Sequence, residues 1–574
     1  MDIYDGHIPT IEEISYMETE YEPSSFEDTW EDEYGAIYTY DQHKLIKGVN
    51  TKRYIVNPRT FVICDKAFDS CDKLEEIVLP ESLYKIGKSV FFQCTALKTI
   101  VFPESLIEIG DYAFSCCITI ERIVLPCFLK SIGKYAFDCC SQLHYFNITS
   151  YIEILTEGLF YNCESLSEVS LPYTIKKIEA NVFNGCSSLT EVDLQTVTYI
   201  GENAFTGMSS LKTLTIPSSV QVVRGNPFGK LSSEKCTFIN ECDEIIIEND
   251  IIYSNDKKTI ISCLSDEEEI KVNDGVVCIG PDSFSCRDSL HSVILPPSVK
   301  YVEEYAFYNC RNLESFYADG VLTMGDNIFR ECVSLRTIKL PSSIISIGEN
   351  IFWGCNGLIE FSFPTGITSI PDNAFNDCKN LSKIYISETI THIGNYAFCN
   401  CASIKSIMIP STVTSIGKAA FCGCKNLISA TLPKFLTKIE DRVFSGCIKL
   451  SEVVLPEFLI SIGDHSFNDC WFLEKITLPE TVRYIGDFAF ASCSNLEYIE
   501  IPQYVKHIEK SSFANNTFII VPSNATLIFK EIMPHLSKRI FDKSGYKQML
   551  IHEEENEGRG FIDYSDISID DERY

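Results

Sequence analysis

Residues 404–424 read IKSIMIPSTVTSIGKAAFCGC, and this stretch contains in order each part of a pattern that recurs through the chain. Ile407 and Ile409 alternate with polar or exposed positions, which predicts a short strand with one buried face. Pro410 ends that strand, because proline has no N–H to donate to a neighbouring strand. The first half of the stretch therefore predicts one side of a coil.

The second half predicts the return of the chain. Gly417 follows a second extended piece and is expected to turn the chain, after which Phe421 and Cys424 close the coil on its far side. The phenylalanine recurs at steps of 22 or 23 residues in two runs, which are Phe68, Phe91, Phe114, Phe137, Phe160, Phe183, Phe205 and Phe228, then Phe284, Phe307, Phe329, Phe352, Phe375, Phe398, Phe421, Phe444, Phe467, Phe490 and Phe513. Such a period indicates one supersecondary unit that is copied many times and stacked into a solenoid. The unit is too short for a long helix, so we expect strands, turns and at most single helical turns.

Cysteine follows this phenylalanine by three positions in fifteen coils, at Cys71, Cys94, Cys117, Cys140, Cys163, Cys186, Cys310, Cys332, Cys355, Cys378, Cys401, Cys424, Cys447, Cys470 and Cys493. Stacked coils would place neighbouring Cβ atoms about 4.8 Å apart and parallel, whereas a disulfide needs about 3.8 Å. We therefore predict a ladder of buried, reduced thiols, as expected in a reducing compartment. Other residues take the ladder position at Met208, Leu231, Arg287 and Asn516, and coils near 145–156 and 318–325 lose the Pro or the Ile. We expect those coils to be irregular or capping.

The repeated positions resemble the BspA-like leucine-rich repeat, the 23-residue type also called treponemal. LKTIVFPESLIEIGDYAFSCC (97–117) and LEKITLPETVRYIGDFAFASC (473–493) carry the pattern almost intact, and the resemblance covers roughly residues 55–522. It implies a leucine-rich repeat solenoid, a right-handed β-rich superhelix of the α/β class with a parallel sheet on the concave face. The family is known from anaerobic bacteria and mucosal parasitic protists, often as surface antigens or adhesins.

Two similar segments, GAIYTYDQHKLI (35–46) and DIIYSNDKKTII (250–261), look like hairpins that each open a phenylalanine run. We interpret the chain as two arrays; the alternative is one continuous superhelix with an irregular joint near 229–275. The predicted divisions are an acidic disordered tail (1–34), a first array (35–240), a second array (241–525), a C-terminal cap (526–550) and a second acidic tail (551–574).

The formal net charge of −32 argues against binding to nucleic acid or to anionic membranes, which need basic patches. Much of the excess lies in the two tails, which we interpret as solvating segments, with docking arms for a basic partner as the alternative. The sequence shows neither a signal peptide nor a long apolar span, which favours a cytoplasmic monomer without membrane insertion. The family resemblance implies a cell-surface location instead.

The residues match none of the motifs for nucleophilic, phosphate-binding or metalloprotease chemistry. Cys399 with Cys401 and Cys422 with Cys424 form two C-x-C pairs one coil apart, but one thiol of each pair belongs to the buried ladder. We therefore expect no enzyme activity, no cofactor and no metal site.

Residues that flank the central apolar residue of each strand should face solvent on the concave sheet. They form two distinctive strips, an acidic one at Tyr145, Glu168, Glu191 and Asp193, and an aromatic and basic one at Tyr317, Lys339, Lys383, Tyr385 and Met408. Tyr and Met are enriched at binding surfaces, while an ordinary solvated face is the plainer alternative. The favoured function is a protein-binding scaffold, for which the family resemblance implies the role of an adhesin or surface antigen; an intracellular structural or regulatory scaffold is the alternative, and an enzyme a remote third.

Overall fold

A computed structural model gives the fold for residues 29–557, except 232–234 and 510. The described residues divide into two compact units. Unit 1 contains those up to His291 together with Leu295–Cys310, and unit 2 contains Ser292–Ile294 and those from Arg311 onward. Most of the predicted tail 1–34 and most of the tail 551–574 lie outside the described residues, although Thr29–Glu31 form a strand.

A regular coil contains two short strands and a turn, as the strand at Ser406–Met408 and the strand at Ser415–Ile416 illustrate, and some coils keep only one of the two strands. The first kind pairs in parallel with its counterpart one coil away, Ser406 opposite Ser429, and we call this stack the long-strand ladder. The second kind pairs likewise, Ser415 opposite His392, and forms the short-strand ladder. Turns complete the coil around Phe421. These parallel coils confirm the predicted leucine-rich repeat solenoid.

The strands up to Val302 are, in chain order, β1 (Thr29–Glu31), β2 (Ile37–Thr39), β3 (Lys44–Lys47), β4 (Arg53–Ile55), β5 (Val62–Ile63), β6 (Glu76–Val78), β7 (Lys85–Ile86), β8 (Glu108–Ile109), β9 (Arg122–Val124), β10 (Ser131–Ile132), β11 (Tyr145–Asn147), β12 (Ile154–Leu155), β13 (Glu168–Ser170), β14 (Lys177–Ile178), β15 (Tyr199–Ile200), β16 (Thr213–Ile216), β17 (Val222–Val223), β18 (Thr237–Asn240), β19 (Ile245–Glu248), β20 (Ile251–Ser254), β21 (Thr259–Cys263), β22 (Glu269–Lys271), β23 (Cys278–Ile279), β24 (Ser292–Leu295) and β25 (Tyr301–Val302). The later elements are β26 (Ser315–Ala318), β27 (Thr323–Met324), β28 (Thr337–Lys339), β29 (Glu360–Ser362), β30 (Ser369–Ile370), β31 (Lys383–Tyr385), β32 (His392–Ile393), β33 (Ser406–Met408), β34 (Ser415–Ile416), β35 (Ser429–Thr431), β36 (Lys438–Ile439), β37 (Glu452–Val454), β38 (Ser461–Ile462), β39 (Tyr484–Ile485), β40 (Tyr498–Glu500), β41 (His507–Ile508), β42 (Phe518–Ile520), α1 (Thr526–Ile532), a 3-10 helix (Pro534–Arg539), β43 (Ile540–Phe541) and α2 (Lys543–Glu557).

The recurring phenylalanines form a column in the interior of each unit. Phe421 is fully buried, and its ring stacks nearly parallel on Phe398 at 5.4 Å and on Phe444 at 5.6 Å between centroids. Full burial of such a side chain contributes about 1.5–3 kcal/mol relative to leaving it in water. A coil cannot bury this face alone, so its stability depends on the coils that cover it.

The cysteine ladder is buried, and every cysteine among the described residues is a free thiol, as predicted. The structure adds a hydrogen bond that the sequence did not suggest. The Sγ of Cys424 donates to the carbonyl oxygen of Phe398 at 3.2 Å, and Cys401 donates to Phe375 at 3.1 Å, one coil earlier in each case. The thiol therefore satisfies a carbonyl of the neighbouring turn while filling the core.

Gly417 directly precedes the turn that begins at Lys418, and its backbone is not left-handed. A Cβ at Gly417 would lie 2.5 Å from the Asn395 nitrogen and 2.6 Å from the Gly394 carbonyl carbon, so glycine is needed for close approach of two coils. The left-handed conformation occurs instead on either side of the core phenylalanine, for example at Ala419 (φ 54°) and Gly423 (φ 70°).

Antiparallel hairpins lie at both predicted positions, β2 with β3 and β20 with β21. Arg287 occupies the ladder position in the first coil after the second hairpin, and it is buried. Its Nη2 donates to the carbonyl oxygens of Leu231 and Cys263, and Nη1 lies 4.0 Å from the Asp266 carboxylate. The Arg287 side chain therefore links Leu231, the last ladder position of the first phenylalanine run, to Cys263 at the end of the second hairpin. The division of the chain at 240/241 stays a prediction.

Three carboxylates meet near the same joint in unit 1. The Glu202 side chain lies over Gly225, where a Cβ would come within 2.6 Å of its Cγ. In the next coil, the Asn226 amide donates to the carbonyl oxygen of Asp282 at 2.8 Å. Burial raises the pKa of the Asp282 carboxyl to about 6, and the negative charges of Glu202 and Glu304 add to that rise.

The coil at 145–156 was expected to be irregular, but its long strand pairs regularly and only the pairing of its short strand is interrupted. Strand β11 pairs in register with β9 and with β13, so the long-strand ladder passes through it. The short-strand ladder is interrupted there, because β10 ends one sheet and β12 begins another. In the coil at 318–325, β26 likewise pairs in register with β28.

Candidate functional site

The long strands present alternating side chains to the core and to solvent. In β33 the central Ile407 is buried, while Met408 is 79% exposed. In β35 the central Ala430 is buried and Thr431 is exposed. The alternation arises because successive side chains of a strand point to opposite faces. The solvent-facing side of the long-strand ladder is therefore a preformed surface, and the predicted site residues on its strands belong to it.

The acidic strip of unit 1 is only partly assembled. Tyr145 of β11 lies directly between Arg122 of β9 and Glu168 of β13, and the Arg122 guanidinium stacks over the Tyr145 ring at 3.9 Å from its centroid. Glu191 and Asp193 are exposed but lie outside any strand, so the ladder does not bring them into register with Glu168. Tyr145 and Glu168 are therefore neighbours in the structure, and the positively charged Arg122, which was not part of the predicted strip, lies beside Tyr145.

The aromatic and basic strip of unit 2 lies on three separate pieces of the ladder. Tyr317 of β26 is opposite Lys339 of β28, which forms an ion pair with Asp319 at 3.2 Å. Lys383 and Tyr385 both belong to β31, which pairs with β29.

Lys383 lies opposite Glu360 of β29, with 3.7 Å between its Nζ and the carboxylate. Met408 belongs to the next piece, β33–β35–β37, where it lies opposite Thr431. Exposed ion pairs of this kind contribute little stability, so both lysines remain free to exchange partners.

A cleft of about 590 Å³ opens where the ladder breaks between β28 and β29. Strand β28 pairs with β26 and β29 pairs with β31, and the described residues show no pairing across the break. The cleft is lined by Arg336, Thr337, Ile338, Lys339, Leu340, Ser342, Glu360, Phe361, Ser362, Phe363, Pro364, Thr365 and Tyr385. Two predicted residues, Lys339 and Tyr385, therefore stand at one opening in the sheet.

Large interior side chains and two glycines lie beside the break. Phe361 and Phe363 occupy inward positions, and their rings pack against Phe375 at 5.1 and 5.8 Å between centroids. Phe146 fills the equivalent inward position of β11, which stays paired on both sides, so a bulky inward side chain alone does not break the ladder.

The flanks of β29 are drawn toward the preceding coil. A Cβ at Gly357 would lie 2.6 Å from the Ser334 carbonyl carbon, and one at Gly366 would collide with the Ile344 carbonyl oxygen. One coil later, Thr389 takes the place of Gly366, and its hydroxyl donates to the Ile367 carbonyl oxygen at 2.8 Å. Gly366 lacks that hydroxyl, so this coil also lacks one of the bonds that hold neighbouring coils in register.

The chemistry of the cleft suits a polar, acidic polypeptide. Arg336 and Lys339 supply positive charge, and the one carboxylate in the lining, Glu360, lies near Lys383. Hydroxyl-bearing and apolar side chains make up the rest of the lining, and Tyr385 is 58% exposed at the rim. Strand edges at such a break offer backbone N–H and C=O groups for pairing.

The sequence reasoning named Lys339 and Tyr385 but missed Arg336 and the cleft itself. The sequence carries no clear signal for the break, because an inward phenylalanine also occurs at Phe146, where the ladder is continuous. The sequence reasoning also missed a second cleft of about 520 Å³ in unit 1, between residues 127–130 and 151–154, with exposed Phe128 and Tyr151. That cleft lies where the short-strand ladder is interrupted between β10 and β12.

Within the described residues, no group of three or more His, Cys, Asp or Glu side chains is arranged to hold a metal ion. None of the helices in the described part of the chain is long and apolar enough to cross a bilayer.

Comparisons with known proteins agree on the repeat. A sequence model of the BspA-type leucine-rich repeat region, six copies long, matches residues 62–190, 130–259, 257–320, 317–428 and 414–544. A comparison with curated proteins gives no match.

Similar solved structures include a leucine-rich repeat protein from Bacteroides ovatus, with 21% identity over 88% of this chain and 100% of that one, and a TM-score of 0.25. A leucine-rich cell surface protein from Faecalibacterium prausnitzii has 20% identity over 74% of this chain and 94% of that one, and a TM-score of 0.34. The pneumococcal vaccine antigen PcpA has 15% identity over 90% of this chain and 98% of that one, and a TM-score of 0.24. At such identities and TM-scores these structures carry no functional argument, and the assignment rests on the repeat sequence.

Proposed function

This chain belongs to the BspA-type leucine-rich repeat family, and we propose that it is a non-enzymatic scaffold that binds a protein partner. The binding surface is the solvent-facing side of the long-strand ladder in unit 2, centred on the cleft between β28 and β29. The observation that supports this most is the break in the ladder, which places Arg336, Lys339 and Tyr385 around one opening.

The surface suits binding because it is ordered before the partner arrives. Its side chains project from paired strands, which hold them in place. Binding therefore costs less free energy for ordering this surface than it would cost on a flexible loop. Tyr385 and Met408 are large, exposed and adaptable, and such residues supply much of the energy of protein interfaces. The ordered surface and its large exposed side chains support binding, and neither implies catalysis.

The charge of the opening favours an acidic segment of the partner. The chain as a whole carries a formal charge of −32, so a surface with Arg336 and Lys339 differs from its general background. Attraction of this kind raises association rates and selects among partners more than it raises affinity. Binding is therefore expected to weaken as salt concentration rises.

The role of adhesin or surface antigen is part of the proposal and is supported by the family resemblance. The alternative remains a structural or regulatory scaffold inside the cell. Labelling of intact cells with an impermeant reagent separates the two, because a scaffold inside the cell stays unlabelled until the cells are broken.

The test of binding is affinity capture from cell lysate followed by quantitative mass spectrometry. The test variant combines Tyr317→Ala, Lys383→Ala and Tyr385→Ala, which remove side chains from the ladder face without touching the core. The matched control combines Lys379→Ala, Tyr396→Ala and Tyr504→Ala, which are the same residue types exposed elsewhere in unit 2. A partner lost with the test variant and retained with the control supports the proposed face, and equal capture by both variants rejects it.

A further inference from the structure

Two thiols in unit 2 lie outside the buried ladder and face each other. Cys399 and Cys422 directly follow the core residues Phe398 and Phe421, whose rings are parallel to within 2°. The backbone N–H after Cys399, that of Asn400, donates to the Cys422 carbonyl oxygen at 2.7 Å. The two cysteines therefore occupy the same position on adjacent coils, and each thiol shifts the pKa of the other.

The ladder thiols of the same two coils behave differently. Cys401 and Cys424 are fully buried and donate to backbone carbonyl oxygens of the preceding coil. Burial raises the pKa of both thiols above the ordinary range. They are tied to the backbone in the uncharged form, whereas Cys399 and Cys422 make no such bond to the backbone of the described residues, and Cys422 is half-buried.

The surroundings shift the pKa values of the two outer thiols in opposite directions. The neighbouring Cys399 thiol lowers the pKa of Cys422 more than burial raises it, with further help from the Arg442 guanidinium and the Ser445 hydroxyl. The Cys422 sulfur, together with burial, raises the pKa of Cys399, and the negative charge of Asp377 acts in the same direction. A thiolate beside a protonated thiol is the arrangement that redox-sensitive cysteines use.

We propose that Cys399 and Cys422 form an oxidisable pair whose co-substrate is a peroxide. The Cys422 thiolate attacks one peroxide oxygen, the O–O bond breaks, and the leaving hydroxide takes a proton to become water. The Cys399 sulfur then attacks the resulting sulfenic acid, and the sulfur–sulfur bond forms as a second water leaves. In total, two thiols lose two electrons and two protons, and one hydrogen peroxide becomes two waters.

The geometry of stacked coils allows this bond. Adjacent coils are separated by about 4.8 Å along the ladder, which lies within the Cα separations that disulfides span. The Cβ atoms must approach each other by about 1 Å to reach the usual disulfide separation. The outer turn of a coil can make that shift more easily than the packed interior that holds the ladder thiols.

The test is treatment of the folded, full-length protein with one equivalent of hydrogen peroxide, followed by intact mass measurement and peptide mapping. We expect the loss of two free thiols per chain and a peptide linked between Cys399 and Cys422. Cys422→Ser should abolish the reaction, and Cys399→Ser should stop it at a sulfenic acid that dimedone traps. Cys116→Ser is the control, because Cys116 is off the ladder and one coil from Cys139 in unit 1 and should leave the product unchanged.

Cys127 provides an internal comparison, because it is the exposed cysteine among the described residues. A hydrogen bond to the Glu104 carboxylate raises the pKa of the Cys127 thiol. Oxidation of Cys127 before Cys422 would overturn the proposal, as would an unreacted wild-type protein or an unchanged product in Cys422→Ser. Peptide mapping of the wild-type protein shows whether Cys399 and Cys422 become linked, so the proposal is tested even where a variant folds poorly.

Discussion

Replacement by asparagine should destabilise the protein at Gly417 and have little effect at Gly446. Gly446 has a left-handed backbone (φ 71°), and the nearest atom to an added Cβ is 3.6 Å away, an ordinary contact. Asparagine tolerates this conformation, as Asn400 does with φ 59° in an equivalent turn. The expected change in the free energy of local unfolding for Gly446→Asn is therefore within about 0.5 kcal/mol.

Gly417→Asn should be costly, because its Cβ would lie 2.5 Å from the Asn395 nitrogen and 2.6 Å from the Gly394 carbonyl carbon. These are backbone atoms of the adjacent coil and cannot rotate away, so the coils must separate by roughly 1 Å to restore an ordinary van der Waals contact. The separation also stretches the bond from the Gly417 N–H to the Ile393 carbonyl oxygen, which is 2.8 Å long. Overpacking at about 1–3 kcal/mol and one weakened hydrogen bond at about 1 kcal/mol give a loss of about 2–4 kcal/mol.

Hydrogen exchange with mass spectrometry measures this loss coil by coil. The account predicts faster exchange in residues 393–421 of Gly417→Asn, and exchange in Gly446→Asn that matches the wild type. Equal losses in the two variants, or a larger loss at Gly446, would show that the glycine after the short strand has no special need for close approach.

Three further predictions concern the core, the ladder and the joint in unit 1. Phe421→Ala should cost about 3–5 kcal/mol and speed exchange in its own and adjacent coils before distant ones; uniform loss through all coils would contradict stability by neighbour contacts. Protein denatured without reductant should titrate all 26 cysteines as free thiols, and far fewer would contradict the unpaired ladder. Asp282 has a pKa of about 6 in the folded protein, above its ordinary value of 3.8, so the folded state binds the extra proton and stability falls as pH rises between those values. Asp282→Asn should therefore raise the free energy of unfolding by about 1–3 kcal/mol at pH 7 and leave it nearly unchanged near pH 4, and equal thermal shifts at both pH values would refute this assignment.

The stacked core was predictable because the same residue types return at the same spacing. Phe421 and Cys424 have counterparts one coil away on either side, so one periodic assignment fixes the burial of the whole column. The hydrogen bond from the Cys424 thiol was not predictable, since its acceptor, the Phe398 carbonyl oxygen, becomes a neighbour only after the coils stack. The close approach at Gly417 was not predictable for a related reason, since the backbone atoms that it meets belong to the preceding coil.

The solvent-facing side of single strands was predictable, whereas Arg336 and the cleft were not. Alternation along a strand was enough to place Tyr385 and Met408 on the solvent side. The cleft depends on which strands of neighbouring coils pair, and that pairing is decided only when the coils stack. Arg287 shows the same limit, because its partners lie 56 and 24 residues away in sequence.

Site-specific photo-crosslinking tests binding at the ladder face most directly. A benzophenone amino acid placed at Tyr385 should crosslink one partner protein in cells, while the same group at Tyr396, an exposed tyrosine in a turn of unit 2, should leave that partner free. Crosslinking of the same protein from Tyr396 and none from Tyr385 would contradict the account.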